Sequence, residues 1–338
     1  AQEPSGRIPP ILGENAPWLD DEWDAQGQLI YQIASYYRYT GDGAALEAWY
    51  PAVQRAARYL VDLRAPFENT EGPTKGLLPP SKSVEDIGPP DWHHYWDDWW
   101  AIAGLQTGAE LATELGHEDD SVWMLAEANA LRSAVMASIA TTMGDEPTHI
   151  PSAVESLEGS SDARGTVPVL WPVEVLSPDM PLVTRSFDHY YRSYVEPNRG
   201  AFHHHAAHFW PYGGLELAHA YLRLGRLDVV HDILGWTLSN ETLPGTYAWA
   251  EQVDPTNNGL TGGDMPHAWA AADLVTLIRE MLVTERDGSL LLFAGAGDWW
   301  FSEGREISLQ ELPTQFGPLS LRTHSTVVQA EGSWEGTL

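Results

Sequence analysis

The feature that most constrains the fold of this chain is an alternation of very short and very long connections between helical segments. Apolar residues recur at spacings of three and four in eight segments, which predicts eight helices. The predicted helices cover residues 20–40, 44–63, 96–116, 120–143, 179–195, 209–225, 227–240 and 265–285. Connections of five residues or fewer at 40–43, 116–120 and 224–226 predict antiparallel helix pairs.

The other connections are long and rich in proline, glycine, aromatic and acidic residues. They cover residues 64–95, 144–165, 196–208 and 241–264. Loops of this length in a compact domain usually carry function. Each precedes a segment that is apolar on nearly every face, most clearly 264–282, and we expect such a helix to be buried all round. Partner segments such as 44–64 are amphipathic and should lie outside.

This pattern predicts an inner and an outer ring of helices with the long loops at one rim, which is an all-α, (α/α)6 toroid. Five inner elements can be counted, starting near positions 24, 96, 166, 209 and 265. A six-pair barrel would therefore need further helices, N-terminal to residue 1 or from another chain. We predict the barrel for residues 1–285. For residues 286–338, short alternating apolar runs predict a small antiparallel β-domain packed on it.

Composition limits the partners of the chain. A formal net charge of −30 repels nucleic acid and anionic membranes and favours neutral or cationic partners. The 16 tryptophans supply flat apolar faces on which sugar rings can stack, although large helical cores also use Trp. No run of about 18 apolar residues predicts a spanning helix. The absence of cysteine excludes disulfides and thiolate metal sites. The first residues, AQEPSGRIPP, lack the features of a signal peptide, and the compartment stays open.

If the long loops share one rim, five sets of acidic and aromatic residues share a pocket. They lie at 18–28, 91–100, 155–166, 201–214 and, as one set, 246–255 with 262–269. The strongest single residue is Glu251, which lies in TYAWAEQ between Tyr247, Trp249 and the last apolar segment. The alternative is a solvated loop acid, because Glu is usually exposed.

The segment 246–282, TYAWAEQVDPTNNGLTGGDMPHAWAAADLVTLIREML, resembles the terminal segment of the six-hairpin toroid glycoside hydrolases. That group includes trehalases, glucosidases of the mannosylglycerate hydrolase and processing-glucosidase type, and alpha-L-rhamnosidases. The segments 23–60 and 96–116 resemble its helical hairpins, and the tail from residue 288 resembles the β-domain often fused to such barrels. The resemblance implies a glycoside hydrolase in which Glu251, in a Trp- and Tyr-rich loop before the last inner helix, is the general base.

The same resemblance implies that the general acid is an Asp that follows a Trp, three inner elements before the last. Counting back leads to DWHHYWDDWW (91–100) and to Asp97. Here Asp98 and two Trp follow, whereas the family has small residues, and trehalases also use a Tyr-x-Trp-Asp motif only to bind sugar hydroxyls. Asp162, in GSSDARGT, is the main rival. The further rivals are Asp98, Glu22, Asp24 or a residue outside this chain.

The chemistry of an inverting glycosidase explains these requirements. A protonated carboxyl drives out the leaving oxygen while an ionised one activates water from the other face of the ring, with about 6.5–9.5 Å between them. Indole rings and a neighbouring carboxylate should raise the pKa of Asp97. The alternative is that Asp97 and Asp98 only favour the positive end of a helix, which would lower their pKa values.

Further residues of the same loops are predicted to bind the sugar. They are Asp24, His94, Trp96, Asp98, Trp99, His205, Tyr247, Trp249, His267 and Trp269. The His-rich run 203–208 could bind zinc, but it lacks the H-E-x-x-H spacing, so we expect hydroxyl binding and no metal. No phosphate loop or dinucleotide fingerprint is present, and we expect no cofactor.

The sequence leaves three alternative functions open. A polysaccharide lyase on the same toroid would need a Tyr or His base and a basic pocket, which 18 Lys and Arg residues and a −30 charge disfavour. A phosphorylase would require phosphate for turnover. A non-catalytic carbohydrate-binding or scaffold fragment would have lost one carboxylate or part of its barrel.

Overall fold

The computed structural model describes most of the chain. The described residues are 2–12, 17–18, 20–82, 88–144, 146–156, 162–198, 200–205, 208–254, 256, 259–286, 288–326 and 334–337. They form two compact units, one of residues 1–37 and 42–193 and one of residues 38–41 and 194–338. Within the described ranges, no helix combines the length and the hydropathy needed to cross a bilayer.

The first unit is built from helices that follow the predicted pattern closely. Its helices are α1 (Asp24–Thr40, which begins in this unit), α2 (Gly43–Arg64), α3 (Tyr95–Glu114), α4 (Glu118–Met143) and α5 (Pro181–Tyr190). A 3₁₀ segment, Ala163–Val169, lies at the position of the predicted inner element near 166. Two short paired strands, β1 (Ile11–Leu12) and β2 (Pro17–Trp18), precede the helices.

The core of the first unit is α3, which packs against α2, α4 and the 3₁₀ segment. Nearly every residue of α3 is buried, as its apolar periodicity predicts. In contrast, α2 buries a single stripe that includes Leu46, Val53 and Leu60, and its other faces are exposed. The predicted distinction between an inner and an outer helix is therefore confirmed for this pair.

The second unit combines three helices with short strands. Its helices are α6 (Pro211–Arg223), α7 (Leu227–Ser239) and α8 (Ala268–Leu282), and α6 packs against both others. An antiparallel sheet contains β3 (His203–His205), β4 (His208–Phe209), β5 (Gln252–Val253) and β6 (Leu260–Gly262) in that order. The chain continues as a hairpin of β7 (Val283–Arg286) and β8 (Ser289–Leu292).

The C-terminal strands form the predicted small antiparallel sheet. They are β9 (Glu306–Leu312), β10 (Leu319–Ser325) and β11 (Trp334–Thr337), in the order β11-β10-β9. The prediction of a β tail is confirmed. The domain boundary at 285/286 and the packing of the tail on a barrel stay predictions.

The prediction that α8 is buried on all faces is wrong for the described chain. Only Ala270, Leu274, Leu277 and Met281 are buried, whereas Trp269 is 50% exposed and Val275 is 69% exposed. An apolar sequence allows a helix face to be buried, but the face is buried only where another element packs on it.

Candidate active site

The start of α3 is held between two other segments of the first unit. His94 is the extended N-cap residue, and it forms a bridge with Ala153. The Tyr95 amide donates to the Ser152 carbonyl oxygen at 3.0 Å, and Trp92 forms a second bridge with Ser81. The first turn of α3 therefore presents Asp97 and Asp98 to protein rather than to solvent, and both are only 1% exposed.

Asp97 belongs to a cluster of buried carboxyl groups. Its Oδ1 accepts from the Trp23 amide at 3.3 Å, and its Oδ2 accepts a short hydrogen bond from the Ser81 hydroxyl. The neighbouring Asp24 is 3% exposed, and its Oδ2 accepts from the Trp96 indole at 2.8 Å. Burial, then the charges of Asp24 and Asp98, raise the pKa of Asp97 well above its usual range, while the Ser81 and Trp23 hydrogen bonds oppose the shift.

Asp98 is also buried, but it faces different partners. Its Oδ1 accepts from the Leu78 amide at 3.0 Å. Burial raises the pKa of Asp98 to about 7, although this hydrogen bond and the charge of Arg64 oppose the shift. Burial also raises the pKa of Asp24. The direction of all three shifts favours a carboxyl cluster that holds protons, and it disfavours the alternative of solvated acids at a helix start.

The raised pKa of Asp98 gives a prediction about stability. Folding raises the pKa of this carboxyl from 3.8 to about 7, so the folded state binds the proton more tightly. The stabilisation of the folded state by protonated Asp98 is fully present below pH 3.8 and is lost as the pH rises to about 7. The unfolding free energy of the unmodified chain should fall by on the order of a few kcal/mol between these pH values. In Asp98→Asn this fall should be absent. Urea denaturation at several pH values measures it.

The exposed Asp119 of α4 provides the control for this measurement. Asp119→Asn should leave the pH dependence unchanged. Parallel curves for Asp98→Asn and the unmodified chain would contradict the shift.

Asp162, the rival acid, is fully buried in an ion pair. Its side chain is 0% exposed, and that of Arg164 is 3% exposed. Arg164 Nη2 donates to Asp162 Oδ2 at 2.7 Å and Arg164 Nε donates to Oδ1 at 3.2 Å. Asp162 Oδ1 also accepts from the Arg164 amide at 2.8 Å and so caps the 3₁₀ segment. A guanidinium at this distance favours the ionised carboxylate, which is the opposite of what a general acid needs.

Asp162→Asn should therefore act mainly on stability. The Asn cannot form this buried ion pair with Arg164, so the substitution should lower the unfolding free energy by about 3–5 kcal/mol. Asp228, whose side chain is 65% exposed beside Arg226, is a matched control for which Asn should cost at most about 1 kcal/mol. Equal losses in thermal or urea denaturation would contradict the structural role.

In the second unit, a β-hairpin brings Glu251 opposite Asp264. Glu251 directly precedes β5, and Asp264 follows β6, its antiparallel partner. The Glu251 amide donates to the Asp264 carbonyl oxygen at 3.0 Å, and the Asp264 amide donates to Glu251 Oε2 at 3.3 Å. Between them Gly263 has φ +73°, and a Cβ there would lie 1.9 Å from Glu251 Oε2. Only glycine therefore leaves room for the carboxylate in this position.

His267, the N-cap residue of α8, lies beside Glu251 and Asp264. Its Nδ1 lies 2.6 Å from Asp264 Oδ1 and 3.9 Å from Glu251 Oε2. The hydrogen bond to Asp264 uses Nδ1, so Nε2 is the ring nitrogen left for another partner. Nε2 is buried and has no hydrogen-bond partner among the described residues. The ring lies 5.0 Å from the ring of Tyr212 and 5.6 Å from that of Trp269.

The same three side chains form the one described set with the spacing of a metal site. Glu251, Asp264 and His267 each offer a ligand atom, and these atoms lie within 4.8 Å of one another. The short contact between Asp264 and His267 is, however, a hydrogen bond that uses the ring nitrogen. The absence of a metal from the active protein stays a prediction.

The aromatic candidates divide into covered and accessible rings. Trp99 is 0% exposed and Trp249 is 1% exposed, so neither presents a face on which a sugar could stack. The Trp249 indole donates to the Thr237 carbonyl oxygen at 2.8 Å, and its own carbonyl oxygen accepts from the His267 amide. Trp249 thus anchors the Glu251 loop. In contrast, Tyr247 is 65% exposed and Trp269 is 50% exposed.

Two histidine candidates have less to contribute. His94 is 2% exposed, and its Nε2 lies 3.0 Å from the Pro89 carbonyl oxygen. Burial lowers the pKa of His94, so the ring is neutral. The backbone of His205 lies in β3, but its side chain is outside the described part of the chain.

Several residues of the site could not be found from the sequence. The contacts of Ser81 with Asp97, of Tyr212 with His267 and of Asp264 with Glu251 join residues that are distant in sequence. Glu241 is not among the predicted site residues, yet its Oε2 accepts from the amides of Gly245 at 2.5 Å and Thr246 at 3.2 Å. It lies four residues before a glycine turn, which is the one sequence signal for such a loop-organising carboxylate.

Comparison with solved structures identifies the fold. A glycosidase, solved as the wild type and as variants, one of them with bound glucose, matches with a TM-score of 0.61 at 16% identity, over 80% of this chain and 69% of that one. The chain has the fold of the six-hairpin toroid glycosidases. No protein-family model matches it, and no curated protein is detectably similar in sequence.

Two other solved toroids are similar over smaller parts of their own lengths. A bacterial glucoamylase in complex with acarbose matches with a TM-score of 0.58 at 15% identity, over 81% of this chain and 43% of that one. The alpha-L-rhamnosidase of Dictyoglumus thermophilum matches with a TM-score of 0.59 at 14% identity, over 96% of this chain and 35% of that one. The toroid predicted from loop lengths and helix periodicity is thereby confirmed, and at these identities the similarity concerns the fold alone.

Proposed function

We propose that the protein is a glycoside hydrolase that inverts the anomeric centre of a neutral glycan, with Glu251 as the general base. The observation that carries the proposal is the Glu251 carboxylate, which is held by the Asp264 amide and lies 3.9 Å from His267. Its side chain is 20% exposed, so water can reach it. The glycosidase neighbours in the fold comparison support the reaction class.

The arrangement around Glu251 suits a base that acts on water. A general base needs a carboxylate that water can reach, and the Glu251 side chain is 20% exposed while its Oε2 accepts from the Asp264 amide. The hairpin and Gly263 leave little freedom to the side chain, so the carboxylate is oriented before substrate binds. His267, whose Nε2 has no hydrogen-bond partner among the described residues, would hydrogen-bond a sugar hydroxyl. Trp269 and Tyr247 offer exposed aromatic faces for the ring.

Asp97 is the proposed general acid. The acid of an inverting glycosidase must keep its proton at the working pH. Asp97 meets this requirement through burial and two neighbouring carboxyl groups, whereas Asp162 is paired with Arg164. The resemblance of Tyr95-Trp96-Asp97 to the Trp-Asp motif of the toroid enzymes also supports this choice.

A screen of neutral aryl glycosides and natural disaccharides, with NMR of the first anomer released, tests the function. An inverted anomer from one of these sugars is the expected result. A retained anomer would overturn the mechanism but leave the class intact, and turnover only with inorganic phosphate would indicate a phosphorylase. No release from any neutral substrate would favour a carbohydrate-binding scaffold.

A further inference from the structure

The first unit contains a groove that the proposed catalytic residues do not account for. It has a volume of about 700 Å³ and lies between the N-terminal segment, α1 and α2. The segment 8–10 forms one wall, and the α1 face from Ala25 to Tyr36 forms the floor. Trp49 and Ala52 of α2 form the other wall.

The N-terminal part of this groove is firmly held against α2. Gln2 Nε2 donates to the Ala52 carbonyl oxygen at 2.9 Å, and Arg55 Nη2 donates to Gln2 Oε1 at 2.7 Å. Gly6 has φ +98°, and a Cβ there would lie 2.2 Å from the Arg55 carbonyl oxygen. These contacts over-determine the position of the segment, so the groove is a formed feature of the unit.

Among the described residues that line the groove, the Tyr36 phenol is the only ionisable group, although the chain has a net charge of −30. Tyr36 and Trp49 are 43% and 42% exposed, and their rings form an edge-to-face pair with centroids 5.1 Å apart. The amides of Gln28 and Gln32 lie on the same α1 face, three and four residues from the apolar lining. Exposed aromatic rings beside neutral amides suit a ligand with apolar faces and many hydroxyl groups.

We propose that this groove binds a neutral oligosaccharide. A charged ligand would gain no partner in the lining, and an anion would also be repelled by the chain as a whole. A sugar ring can stack on Trp49 or Tyr36 while its hydroxyls exchange hydrogen bonds with Gln32 and Gln28. The ligand class is therefore an extended neutral glycan.

One hydrogen bond links the lining of the groove to the buried carboxyl cluster. Gln28 lines the groove, and its Nε2 donates to Asp24 Oδ2 at 2.9 Å. The same oxygen accepts from the Trp96 indole, next to Asp97 in the chain. This step rests on the proposed function. If Asp97 protonates the leaving oxygen, the groove holds the leaving-group side of the glycan, and the substrate extends over several sugar units.

Binding to the inactive chain tests the groove independently of catalysis. In the Glu251→Gln background, maltoheptaose, cellohexaose, xylohexaose and mannohexaose are titrated by calorimetry. We expect one of them to bind, and Trp49→Ala and Tyr36→Ala each to weaken that binding about tenfold. Trp299→Ala, which removes a 62% exposed indole from the second unit, is the matched control and should change nothing. Circular dichroism and the melting temperature verify that each variant is folded.

Several results would contradict the proposal that the groove binds a glycan. One is the absence of binding of all four oligosaccharides up to about 10 mM. Another is equal binding by the unmodified chain and both groove variants. A dimer in light scattering that Trp49→Ala converts to a monomer would show that a second copy covers the groove. If the Trp49 and Tyr36 variants bind the oligosaccharide more weakly but the unmodified chain hydrolyses no glycan, the proposed function is wrong. The groove is then still a glycan-binding site.

Discussion

Replacing Glu251 by Gln is expected to reduce kcat on the substrate of this protein by about 10²- to 10⁴-fold, with little change in KM. Gln keeps the size of the side chain and can still accept from the Asp264 amide, but it cannot take a proton from water. The measurement is steady-state hydrolysis of the best glycoside found in the screen. The loss should appear in kcat because proton transfer to the base occurs only in the transition state.

The controls for Glu251 separate chemistry from folding. Glu303→Gln makes the same change at an exposed position of the second unit and should leave kcat unchanged. Glu251→Ala with added azide gives a sharper test, because a small anion can replace the activated water and yield a glycosyl azide of inverted configuration. An active Glu251→Gln variant with the same melting temperature as the unmodified chain would rule out Glu251 as the base.

Asp97→Asn should have the second large effect, and the effect should depend on the leaving group. With a natural disaccharide, kcat should decrease by about 10²- to 10⁴-fold, because the leaving sugar needs a proton. With a dinitrophenyl glycoside, whose leaving group needs no proton, the decrease should be much smaller. The unfolding free energy is measured in parallel, because Asp97 accepts from Trp23 and Ser81 within the core.

Asp98→Asn is the matched neighbour for this experiment. Both residues are buried in the same turn of α3, but Asp98 accepts from the Leu78 amide, whereas Asp97 accepts from the Trp23 amide and the Ser81 hydroxyl. If the dependence on the leaving group follows Asp98 instead, the two residues exchange roles. If Asp97→Asn changes only stability and leaves both substrates equally active, the cluster is structural, and the acid must be sought elsewhere.

The helices of this fold could be read from the sequence with good accuracy. The predicted 44–63 corresponds to α2 (Gly43–Arg64), and the predicted 96–116 corresponds to α3 (Tyr95–Glu114). Periodicity and terminal glycines suffice here because both are local signals. The predicted 265–285 is less accurate, since the chain leaves the helix at Val283 and pairs as β7 with β8, which is a tertiary choice.

The sequence predicted only part of the candidate site. Aromatic and acidic composition pointed to Asp97 and Glu251, but it could not distinguish a covered indole such as Trp99 from an accessible one such as Trp269. Nor could it show that Asp162 is neutralised by Arg164, because residues two apart need not meet. Burial and pairing decide these roles, and both depend on the whole fold.

The sequence by itself determined the helical architecture and the short β tail, and it predicts a neutral or cationic partner. These follow from residue spacing, glycine and proline positions and net charge, which need no long-range contact. Only the tertiary structure decided which carboxyl groups hold protons. The pKa of Asp97 depends on Trp23, Asp24 and Ser81, and the orientation of Glu251 depends on Asp264 and His267, all brought close by folding.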